Sequence, residues 1–118
     1  MAEVTIEGGE LRVELTGVDK LAALRGHLEV PIAHVRGVRA DPEIGRGVLH
    51  GIKAPGTNIP GVLTAGTFYS EGERWFWDVH DPAKVVVIDL AEEHFDHLVL
   101  GVGDPDAVVR MIQGALAG

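Results

Sequence analysis

The chain has 118 residues, which is long enough to bury a core and is expected to form a single domain over 1–118. It contains no cysteine, which excludes disulfides, thiolate metal sites and thiol chemistry and fits a cytoplasmic location. Its formal charge of −8, from 18 acidic and 10 basic residues, opposes general binding to nucleic acid or to an anionic membrane, since both need a concentrated positive face. The N-terminus lacks the basic region and apolar core of a signal peptide. The longest apolar run, Val85 to Ile88, is far too short to span a bilayer, so no transmembrane segment is expected.

From the N-terminus, Val4 and Ile6 alternate with Glu3, Thr5 and Glu7. Gly8-Gly9 supplies a turn, and Leu11, Val13 and Leu15 alternate with Glu10, Arg12 and Glu14. This pattern predicts a half-buried antiparallel hairpin with an acidic outer face. Gly17–Arg25 carries Leu21 and Leu24 and stops at Gly26, as a short helix would. Leu28, Val30 and Ile32 then alternate with His27, Glu29 and Pro31. Proline cannot donate to a ladder, which places Pro31 at an edge or a break. A further strand is expected through Arg36–Ala40.

Residues 41–61 contain five glycines and three prolines and predict a long loop, with room for a short strand or turn at Val48–Ile52. Val62–Tyr69 and Arg74–Val79 should pair around Ser70–Glu73. Lys84–Leu90 is a near-continuous β-branched run and predicts a strand covered on both sides. His97–Val102 gives a second strand of the same period. Asp104-Pro105 marks a helix start, and Val108, Val109, Ile112 and Leu116 form one apolar stripe on the helix that follows. Strands joined in sequence by brief connections argue for antiparallel meanders.

The stretches LAALRGHLEVPIAHVRGVRA, GIKAPGTNIPGVLTAGT, FWDVHDPAKVVVIDL and DHLVLGVGDPDAVVRMI resemble, in that order, bacterial pleckstrin-homology-like proteins of the small actinobacterial type. The resemblance implies a mainly β fold, a pleckstrin-homology-like antiparallel β-barrel or roll of about seven strands capped by a C-terminal α-helix. It also implies a binding or assembly scaffold, the group having no known activity. Phosphoinositide-binding members of the wider superfamily hold phosphates with basic residues in the first strand–strand loop. The matching turn here, Glu7-Gly8-Gly9-Glu10, is acidic, which argues against phosphoinositide binding.

Among candidate sites, His94 and His97 with Asp96, Glu92 and Glu93 suggest a metal site only if both rings share a face. A strand beginning near His97 separates them. Gly45-Arg46-Gly47 with Gly51 lacks the strand before and helix after that a nucleotide loop needs. Ser70, Thr57, Thr64 and Thr67, with His80–Asp81 as base and orienter, form no arrangement beyond chance, and Asp81-Pro82 reads as a turn start. No catalytic, cofactor-binding or metal residue is therefore assigned. Trp75-Phe76-Trp77 puts aromatics on both faces of one strand, while a small barrel can hide only one. The outer face is expected either to be covered by the 41–61 loop or the short helix, or to form a protein interface. In the second case Trp75 and Trp77 would be flanked by Arg36, Arg39, Arg46 and Lys53. The expected function is a non-catalytic interaction or assembly module with a protein partner or self-association. The alternative is a small-ligand-binding or enzymatic β-barrel with the 41–61 loop as a lid over His50, Lys53 and His80.

Overall fold

Alternating apolar and polar residues fold Ala2–Glu7 (β1) and Glu10–Leu15 (β2) into an antiparallel hairpin. The computed structural model describes residues 2–15, 26–46, 52–59, 63–81 and 83–117, and for 45, 46, 52–59, 63, 64 and 70 the backbone alone. Gly8 and Gly9 both take positive φ, 58° and 79°, as the two central residues of a type I′ turn require. His27–Pro31 (β3) pairs with β2 and completes a three-stranded sheet in the order β1-β2-β3. Pro31 sits where the sequence places it, at the end of an edge strand, and a 3-10 turn at Ile32–His34 follows. The short helix expected over Gly17–Arg25 lies outside the described residues.

The second sheet contains Val35–Ala40 (β4), Ile52–Ile59 (β5), Leu63–Ser70 (β6), Glu73–Val79 (β7), Val85–Leu90 (β8) and His97–Gly101 (β9), in the order β4-β8-β9-β7-β6-β5. All neighbours are antiparallel except β7 and β9, which run parallel. The protein is mainly β with a C-terminal helix, as expected, but the closed antiparallel barrel of about seven strands is corrected. Among the described residues nine strands lie in two separate sheets. The physical reason is the insertion of β9 between β7 and β8. The connection from β7 to β8 therefore crosses the end of β9 instead of making a hairpin.

The 41–61 stretch is also corrected. Pro42–Arg46 forms a short helix (α1), whose Ile44 amide donates to Asp41 Oδ1 at 3.1 Å. Ile52–Ile59 is a strand, not a loop. As the edge of the large sheet it accommodates Pro55, and a register shift between Lys53 and Gly56 absorbs the irregularity. Apart from Ile52, the strand or turn expected at Val48–Ile52 lies outside the described residues.

The large sheet is the middle layer. On one side Phe76, Val86, Ile88, Leu98 and Leu100 pack against Leu11, Val13, Leu15, Leu28 and Val30 of the small sheet. On the other, Phe68, Trp77, Val79, Val85, Val87 and Val99 form a second apolar cluster, with Ile44 of α1 against it. Val85 to Ile88 are fully buried, as a run covered on both sides requires.

Pro105–Ala117 (α2) begins at Asp104, whose Oδ1 accepts the Ala107 amide at 3.1 Å. The helix lies against β4, β8, β1 and the 3-10 turn and closes that side of the sandwich. Ile112 is fully buried, and Val108 and Val109 pack against the core. Leu116 is 38% exposed, so the expected apolar stripe stops one turn short. Among the described residues no helix is long and apolar enough to cross a membrane.

Candidate functional site

The aromatic triplet is divided between the two sides of the middle layer. Phe76 is fully buried against the small sheet, Trp77 is buried in the cluster beneath α1, and Trp75 is half-buried. An exposed face built on Trp75 and Trp77 is not what the fold presents. A two-layer sandwich with an added helix hides both faces of a strand where a barrel would hide one. Ile44, within the 41–61 stretch, supplies part of that cover. Arg36 is exposed on β4, while Arg39 is exposed but engaged with two carboxylates. The side chains of Arg46 and Lys53 lie outside the described residues.

Trp75 belongs to a polar cluster that crosses four strands. The register places Asp89 of β8, His97 of β9 and Trp75 of β7 in one row. The His97 ring stacks on Trp75 with centroids 4.0 Å apart and planes inclined by 28°. Its Nδ1 lies 2.7 Å from Asp89 Oδ1, and the other Asp89 oxygen accepts from Arg39 Nη1 at 3.1 Å. Arg39 Nε also donates to Asp41 Oδ2 at 3.4 Å. On its far side, His97 Nε2 lies 3.1 Å from Glu73 Oε1 but outside hydrogen-bond alignment, and the buried Trp75 Nε1 also has no hydrogen-bond partner among the described residues. A carboxylate–imidazole pair is half of an acyl-transfer relay. Here the distal nitrogen faces a second carboxylate instead of a hydroxyl. In this geometry the pair ties β4, β8, β9 and β7 together.

The other titratable candidates have local duties. His94 contacts the Arg74 guanidinium through Nδ1 at 3.2 Å, while His97 faces Asp89 and Glu73, so the two rings do not converge. No metal-binding group of three or more His, Asp or Glu side chains occurs among the described residues. Asp81 Oδ1 accepts the Ala83 amide at 2.9 Å, which is the turn role the sequence suggests. The cavity beside His80 and Asp81 holds about 10 Å³. His50 and the side chains of Thr57, Thr64 and Ser70 lie outside the described residues.

The small sheet carries a more distinctive surface. Its outer face stacks Glu3, Glu14 and His27 in one row, Thr5, Arg12 and Glu29 in the next, and Glu7 opposite Glu10 beside the turn. Among the described residues, five carboxylates thus share one exposed face with a single guanidinium, Arg12, which reaches Glu29 at 3.5 Å and Glu7 at 3.7 Å. Glu3–Glu14 and Glu7–Glu10 are like charges directly opposite across an antiparallel pair, an arrangement that destabilises a sheet. The alternation in β1 and β2 announces this face in the sequence. The contribution of β3 emerges only with its pairing to β2.

Two open clefts flank β3. One, of about 230 Å³, lies over the acidic face beside Arg12, Glu14 and Glu29. The other, of about 220 Å³, lies between β3 and the 91–96 loop. They share His27, Leu28 and Glu29. Compared with protein-family models, curated proteins and solved structures, the chain matches none of them.

Proposed function

We propose that the protein is a non-catalytic interaction module whose working surface is the outer face of β1-β2-β3 and whose partner is a basic protein segment. The observation that carries this reading is the pair of like-charge registers, Glu3 opposite Glu14 and Glu7 opposite Glu10. A sheet selected for stability alone would place opposite charges there, and positions that break a local rule are where function is sought. The scaffold role implied by the pleckstrin-homology-like resemblance agrees with this reading. A cationic segment laid on the face would offset the repulsion and gain charge complementarity. The test is fluorescence anisotropy of a labelled Lys/Arg-rich peptide against the full chain at low and at physiological salt. Binding that weakens with salt, and again when Glu3 and Glu14 are replaced by Gln, is expected. No binding at low salt would sink the reading.

A further inference from the structure

The cleft between β3 and the 91–96 loop has the two-part chemistry of a side-chain pocket. Its floor is apolar, from Leu28, Leu90 and Phe95, and its polar lining is the carboxylates Glu29 and Glu93 with the imidazoles of His27 and His94. At about 220 Å³ it falls below the roughly 300–1,000 Å³ of small-molecule pockets. That is room for one long side chain.

We infer that this cleft receives an arginine side chain of the basic partner, an inference that rests on the acidic-face reading and specifies what the partner inserts. The two clefts share His27, Leu28 and Glu29, so a segment lying on the acidic face can reach this one across the β3 edge. Arginine has an apolar stem for the floor and a planar head with five donors that can serve two carboxylates at once. Lysine offers a compact, strongly hydrated point charge. Both carboxylates keep acceptor capacity. Glu29 Oε2 is 3.5 Å from Arg12 Nε and Glu93 Oε2 is 2.5 Å from His34 Nδ1, but a carboxylate has about four lone-pair sites. Arg74, which reaches the 91–96 loop, is held on His94, contacting its Nδ1 at 3.2 Å and its carbonyl at 3.4 Å.

The experiment compares otherwise identical Gly/Ser-based peptides carrying arginine, lysine or citrulline against the full chain. The arginine peptide should bind about tenfold more tightly than the others, the size expected for hydrogen bonds to charged groups. Glu93→Gln should erase that preference. Because Glu93 also holds His34, Glu29→Gln on the exposed lip serves as a second variant, and backbone amide shifts on peptide addition should map to 27–30 and 90–98. Equal binding of the arginine and lysine peptides, or a preference untouched by both variants, would overturn the pocket while leaving the acidic face standing. Failure of every cationic peptide to bind would overturn both.

Discussion

Gly101 lies close beside the backbone carbonyl of Asp78. A Cβ added to Gly101 would stand 3.3 Å from the Asp78 carbonyl oxygen, with the Val79 Cα at 3.3 Å and the His80 amide nitrogen at 3.4 Å. These are backbone atoms of the chain that leaves β7 and crosses the end of β9 on its way to β8. The Val102 amide donates to the Lys84 carbonyl at 3.1 Å on the other side of that crossing.

Gly101→Val should therefore destabilise the protein by about 1–3 kcal/mol, as overpacking against a fixed backbone does. Gly103→Ala, where an added Cβ meets nothing within 4 Å, should stay within about 0.5 kcal/mol. Urea unfolding midpoints compare the two. Identical midpoints would remove the crossing as a constraint on position 101.

Much of this architecture is legible from local pattern. The two-glycine turn, the β-branched run at Val85–Ile88 and the Asp104-Pro105 helix start each carry their own physical signal, and each element forms where that signal lies. The parallel pairing of β7 with β9 has no such signal, because it depends on which strands meet after the chain crosses over. That one pairing separates a sandwich from a barrel. It also brings Trp75 onto His97, so the stacked pair could not be read from residues 22 positions apart. The Asp89–His97 contact was nearer to hand, since a hairpin around the 91–96 loop sets those two positions opposite each other. Ile52–Ile59 misleads for another reason. Its Gly and Pro content favours turns locally, and pairing along β6 overrides that preference at a sheet edge.

Helix α2 yields a contrast between two positions one turn apart. Ile112→Asp would put a carboxylate into a fully buried site between α2 and the sandwich and should cost about 3–5 kcal/mol. Leu116→Asp, at a site 38% exposed, should cost less than about 1 kcal/mol. Thermal unfolding followed by circular dichroism distinguishes them. Equal losses would mean that α2 packs with a different face inward.

The stack of His97 on Trp75 should be measurable as a coupling energy. A double-mutant cycle with Trp75→Leu and His97→Gln is expected to show about 0.5–1.5 kcal/mol of interaction between the two positions. Glutamine keeps a donor for Asp89, so the cycle reads the ring contact more than the lost hydrogen bond. Tryptophan emission should also change on His97→Gln, since one of the two tryptophans loses its stacked neighbour. Additivity within about 0.3 kcal/mol would show that the rings touch without contributing.

The like-charge registers make the strongest claim about purpose, because they tie a gain in stability to a loss of binding. Glu14→Lys would turn the Glu3–Glu14 opposition into an opposite-charge pair. The variant should be more stable by about 0.2–1 kcal/mol at low salt, with the gain shrinking as salt screens it. It should also bind a Lys/Arg-rich peptide more weakly, since it places a positive charge in the middle of the acidic face. Glu43→Lys makes the same change of net charge on exposed α1, away from that face, and should leave peptide affinity nearly unchanged. Parallel unfolding and anisotropy measurements on the three proteins resolve the question. A stabilised Glu14→Lys variant with undiminished peptide binding would show that the acidic face is not the docking surface.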